Sequence, residues 1–95
     1  MFNGNYTHAL NKSLKRGDKK EIAKEAKCSI PLVSLVLKGE RTNKRVIEET
    51  ENRILDCGID HMSFRKYVLI TREIFNQRGE GKRAFKKHIS NLITR

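Results

Sequence analysis

The chain has no tryptophan, one proline and two cysteines among its 95 residues. The cysteines, Cys28 and Cys57, stand far apart, and the histidines, His8, His61 and His88, are scattered. That pattern excludes a disulfide scaffold. It leaves no set of residues at metal-ligand spacing, so the cysteines read as reduced packing thiols of a cytoplasmic protein. There is no glycine-rich phosphate loop after a strand, no nucleophile elbow and no metal-ligand cluster, which argues against an enzyme and against a cofactor. No apolar run is long enough to cross a membrane, and no signal peptide is expected at the N-terminus. Alternation of the strand type is missing throughout, and the one proline, Pro31, falls inside a helical pattern. The expected class is all-α.

What is abundant is positive charge. Lysine and arginine number 21 against 11 acidic residues, a net charge of +10. Residues 62–95 carry +7 of it. Such an excess favours an anionic partner, nucleic acid before membrane.

Helical periodicity divides the chain into about six segments. Tyr6, Leu10 and Leu14 recur every four residues, predicting a first helix over about 7–16 that Gly17 stops. Asp18 with Glu21 suggests a capping box opening a second helix, 18–26. A third helix is expected over 30–38. A fourth follows over about 44–57, capped by Thr42 or Asn43 and closed by Gly58. Ile47, Thr50 and Ile54 form its inner stripe, with Val46 and Leu55 beside it. Glu48, Glu49 and Glu51 lie toward its N-terminal half, where the macrodipole favours acids. Two further amphipathic helices are expected over about 63–77 and 82–93, separated by Gly79-Glu80-Gly81. Asp60 or Ser63 is a candidate cap for the first of them. The expected organisation is a helical unit over 1–58 and a basic helical extension over 59–95, packed as a single domain.

The most informative stretch is KEIAKEAKCSIPLVSLVLKG, residues 20–39. Ile22, Ala23 and Ala26 share one helix face, and Ala23 is small enough for a close helix crossing. Lys27-Cys28-Ser29 makes a turn. Ser29 is a natural N-cap, and Pro31 is tolerated in the first turn, where amides have no helical partner. Val33, Val36 and Leu37 give the next helix an inner face. Lys38-Gly39 ends it, with Gly39 free to take a left-handed conformation. This is the layout of a helix-turn-helix.

The string IAKEAKCSIPLVSLVLKG resembles the helix-turn-helix of the lambda-repressor-like superfamily. That group includes phage Cro and repressor proteins, the XRE group and lac-repressor headpieces. The resemblance extends over about residues 6–57. It implies a bundle of about four helices, to which the C-terminal block adds about two more. One departure falls in the turn, where Lys27 holds the place the family usually gives to glycine; a positive φ there costs lysine about 1 kcal/mol. Cys28 stands where the family buries an aliphatic residue.

The resemblance also implies a function. The third helix would enter the major groove of duplex DNA, with base-reading positions at Ile30, Pro31 and Leu35 and with Ser29 and Ser34 alongside. These apolar side chains cannot hydrogen-bond base edges. Either the protein reads DNA with little direct readout, through shape or other segments, or the apolar face of Ile30, Leu32 and Leu35 binds a protein. Lys38, Arg41, Thr42, Asn43, Lys44 and Arg45 cluster after the third helix and suit phosphate contacts. The lac-type headpieces point to Thr42, Asn43 and Lys44 in particular. Lys19 and Lys20 would reach the backbone across the groove. The leading expectation is a DNA-binding regulator of phage or XRE-like type, most simply a repressor acting as a homodimer. The alternatives are an antitoxin-like module with a protein partner and a nonspecific nucleic-acid accessory protein.

Overall fold

The computed structural model describes residues 4–94; residues 1–3 and 95, at the outer ends of the two expected segments, lie outside it. Six helices follow one another: α1 (Gly4–Lys12), α2 (Asp18–Ala26), α3 (Ile30–Leu37), α4 (Lys44–His61), α5 (Phe64–Gln77) and α6 (Gly81–Ile93). Among the described residues there is no strand, and no helix is long and apolar enough to cross a membrane. The longest dimension is 37 Å.

One core joins the first five helices. Tyr6 and Leu10 of α1, Ile22 and Ala23 of α2, and Val33, Val36 and Leu37 of α3 meet Val46, Ile47 and Ile54 of α4. Ile70 and Ile74 of α5 close it from the other side. The spacing of these residues follows the 3.6-residue period, so each helix turns one stripe inward. Thr50 is buried in the α4 stripe, where its hydroxyl donates to the Val46 carbonyl at 2.7 Å. The sixth helix has no buried residue and, among the described helices, packs on α5 alone.

Several local expectations are corrected. The first helix ends at Lys12, before Leu14 and well short of Gly17. Asp18 does not cap α2: the N-cap is Gly17, with φ 93°, and no side chain caps the helix. The Asp18 carboxylate instead accepts from the Lys15 amide at 2.7 Å and from Arg53 Nε at 3.0 Å. That bond holds the Arg53 guanidinium above its ordinary pKa. A partner 35 residues away has claimed the side chain that a local motif would have used.

Gly58 does not close α4. It lies inside the helix, which runs on to His61, so the expected boundary at residue 58 falls within a continuous element. Its missing side chain makes room for Tyr67 of α5: a Cβ there would lie 3.1 Å from the ring. The Tyr67 hydroxyl is bonded to the Leu55 carbonyl at 2.7 Å and to His88 Nε2 at 2.9 Å. Tyr67 therefore ties α4, α5 and α6 together. Glu51, in the N-terminal half of α4 as expected, has a further role. It is buried, bonded to the Tyr6 hydroxyl and to Arg78, while Glu48 and Glu49 remain on the partly exposed side.

Candidate nucleic-acid interface

The geometry of residues 26–30 sets this surface. Lys27 takes φ 56° and ψ 49°, the one non-glycine residue in the left-handed region among those described. Its amide donates to the Ala23 and Lys24 carbonyls, and the Cys28 amide reaches Ala23 O at 3.0 Å. These bonds satisfy carbonyls that the end of α2 would leave open. Ser29 is extended, and its Oγ accepts from the Leu32 amide at 3.3 Å. Two helices thus meet across a turn of three residues, with Ile22 and Ala23 buried against Val33, Val36 and Leu37.

Burying those three α3 residues turns the opposite side outward. Ser29, Ile30 and Pro31 are exposed, Ile30 at 46%. Leu32, Ser34 and Leu35 are half-buried, and Leu32 packs against the core. The exposed apolar surface of α3 is therefore narrower than the sequence suggested, and it centres on Ile30 and Pro31. Lys19 Nζ lies 3.5 Å from Ser34 Oγ, which brings the start of α2 beside α3. Lys20 and Lys38 are exposed.

The loop after α3 reverses at Gly39, with φ 83°, and the Glu40 amide returns to the Leu35 carbonyl at 3.0 Å. Arg41 and Thr42 are exposed. They share a small hollow of about 160 Å³ with Thr7, Gly39 and Asn43. Asn43, the cap of α4, accepts from the Val46 amide through Oδ1 at 3.2 Å, so its amide NH2 is left for other partners. Lys44 is 3.8 Å from Glu48, with its side chain 82% exposed, a pairing that water screens heavily.

Arg45 is drawn elsewhere. Its Nη2 donates to the Glu25 carbonyl at 3.4 Å and its Nε lies 3.6 Å from Glu49, turning it toward α2. The six-residue cluster after α3 is thus divided, with Arg45 engaged apart from Arg41 and Thr42. Lys27 has an additional property that its backbone role concealed. It is exposed two residues before the Ser29 cap and contributes a cation beside the start of α3. Its position in the turn was the available signal.

The surface thus offers hydroxyl, amide and cationic donors around the starts of α3 and α4. Such groups can hydrogen-bond and neutralise phosphate oxygens. Cys28 and Cys57 are unbonded and half-buried. Among the described residues, no three His, Cys, Asp or Glu side chains gather as metal ligands. The chain matches no family model, and neither a characterised protein nor a solved structure matches it.

Proposed function

We propose that this protein is a duplex DNA-binding transcriptional regulator, a repressor of phage or XRE-like type, and that it acts as a dimer. In this reading α2 and α3 form a lambda-repressor-like helix-turn-helix, and α3 lies in the major groove. The observation that carries the reading is the left-handed turn at Lys27. It couples two helices through buried Ala23 and Val33 while Ser29, Ile30 and Pro31 stay exposed.

Cations at both ends of α3 support the same reading. Lys27 precedes the start of α3, Lys38, Arg41 and Lys44 follow its end, and Lys19 reaches its side at Ser34 with Lys20 next to it in sequence. They would contact phosphates and set the position of α3, while Ile30 and Pro31 offer apolar contact to thymine methyl groups. Sequence preference would then be modest and would favour T-containing steps or DNA shape. Pairing of two copies would follow from the shallow apolar groove of about 410 Å³ between α5 and α6, which includes Phe64, Val68, Phe85 and Ile93. Two copies double the contacts that one small unit can make.

Binding-site selection from random duplexes, run on the wild type and on Leu35→Arg, tests the proposal. Arginine at 35 should raise overall affinity and create a preference for guanine, through O6 and N7. An unchanged preferred site would remove Leu35 from the groove. No duplex binding by the wild type at low salt would overturn the DNA reading.

A further inference from the structure

The sixth helix adds a charge arrangement that the α3 surface does not use. Its sequence, GKRAFKKHISNLI, contains no acidic residue. Phe85 and His88 face α5: the Phe85 ring lies 6.3 Å from Phe75, and His88 is bonded to Tyr67. With that side committed, Lys82, Arg83, Lys86 and Lys87 are all exposed, Lys86 at the edge of the groove that holds Phe64 and Val68, and among the described residues none is in an ion pair. Helical geometry puts 82 beside 86 and 83 beside 87, so like charges are neighbours at i and i+4. Exposed cations at the start of α4 behave differently: Lys44 and Arg45 each have a glutamate one turn on.

We propose that this face of α6 is a second, sequence-independent surface for the phosphate backbone of duplex DNA, separate from α3. The proposal rests on the duplex-binding reading above. Four unpaired cations within six residues repel one another on a helix that has no buried residue to offset the cost. A row of phosphates removes that repulsion and releases condensed counterions. The third helix packs on α1, α2 and α4, whereas α6 packs on α5 alone, so the two surfaces occupy different parts of the molecule. The 37 Å longest dimension of the molecule sets an upper bound on their separation, about the roughly 34 Å of one duplex turn. The α6 contacts add affinity without base preference.

The test compares the salt dependence of duplex binding for four full-length proteins by fluorescence anisotropy. They are the wild type, a variant with Lys82→Gln, Arg83→Gln, Lys86→Gln and Lys87→Gln, a loop variant with Arg41→Ala and Lys44→Ala, and a charge control. The control removes four exposed cations elsewhere, through Lys12→Gln, Lys15→Gln, Lys24→Gln and Arg65→Gln. The α6 variant is expected to show a slope of log K against log salt shallower by about 2–4 than the wild type, with the same preferred site. The control is expected to change the slope much less. An α6 variant with the wild-type slope, or a control that flattens it equally, overturns the α6 surface and leaves the α3 reading standing. A loop variant that binds as the wild type does, beside a flattened α6 variant, supports the α6 surface and counts against the α3 reading. Absence of wild-type binding at low salt overturns both.

Discussion

Arg78 Nε donates to Glu51 Oε1 at 2.9 Å, joining the end of α5 to the middle of α4 across 27 positions of sequence. The Glu51 side chain is 2% exposed, and its other oxygen accepts from the Tyr6 hydroxyl. Arg78 also donates to Asn52 Oδ1 at 2.8 Å. Removing the guanidinium leaves a buried carboxylate without its countercharge, which typically costs about 3–5 kcal/mol. Arg78 is partly exposed, so water recovers some of that cost, and Arg78→Ala is expected to lose about 2–3 kcal/mol in urea unfolding. Adding Glu51→Gln should recover part of the loss. A single-variant loss under about 0.5 kcal/mol, the size of an exposed pair, would show that the contact is not a buried anchor.

Tyr6 responds to the same carboxylate. Burial, then its hydrogen bond to Glu51 and the charge of Glu51, push its pKa well above the ordinary 10.0. The folded protein therefore keeps this proton at pH values where the unfolded chain releases it. The resulting stability is complete below about pH 10 and is lost as pH rises from there toward the folded value. Tyr6→Phe should lower stability at pH 7, because Glu51 loses a donor, and should flatten the decline above pH 10. Urea midpoints at pH 7, 9 and 10.5 measure both effects. An alkaline decline identical in the two proteins would assign it to other groups, such as the lysines.

Gly58→Ala sets two effects against each other. Alanine ordinarily gains about 1 kcal/mol over glycine inside a helix. Here the new methyl would meet Tyr67 at 3.1 Å and Met62 at 3.2 Å. Tyr67 cannot yield easily, because it is fully buried and its hydroxyl is fixed at Leu55 and His88. Overpacking costs about 1–3 kcal/mol, so the net change should be a loss of about 1 kcal/mol. Gly58→Ala should also weaken the hold on α6. Thermal melts read the first effect, and one-bond NMR shifts of residues 81–93 read the second. A stabilised variant with unshifted α6 would mean that Tyr67 moves freely.

Lys27→Gly should work in the opposite direction. The left-handed conformation costs a lysine about 1 kcal/mol, and glycine adopts it without strain. The larger freedom of glycine in the unfolded chain offsets part of that gain. A net stabilisation of about 0.5–1 kcal/mol is expected, seen as a Tm higher by a few degrees. Duplex affinity should fall slightly at the same time, because one exposed cation is lost. A lower Tm would show that the lysine side chain contributes more than its backbone strain costs.

The residues that were legible in sequence are those whose roles are local. Ser29, Asn43 and Ser63 each accept the amide three residues on, and each was a candidate cap from its type and position alone. The positive φ at Lys27 was implied by the resemblance, which puts glycine at that place in the turn. The residues that misled are those whose partners lie far along the chain. Asp18 has the type and position of a cap, but Arg53 takes its carboxylate. Glu51 lies one turn after Ile47 on the inner stripe, unlike Glu48 and Glu49, but its partners Tyr6 and Arg78 are 45 and 27 residues away. Gly58 looked like a helix stop because a glycine making room for a ring and one ending a helix read alike. At the candidate interface, the exposure of Ile30 and Pro31 followed from helical period. The half-burial of Leu32 and the diversion of Arg45 depended on how α2, α3 and α4 pack.

The attachment of α6 has a further consequence for motion. A helix held by one neighbour, through Phe85, His88 and their partners, can detach without opening the core that the other five share. Amide protons of residues 84–93 should therefore exchange with solvent through a partial opening of much lower free energy than global unfolding, while those around Val33, Ile54 and Ile74 exchange only when the whole chain unfolds. Native-state hydrogen exchange in low denaturant would separate the two classes by their dependence on urea.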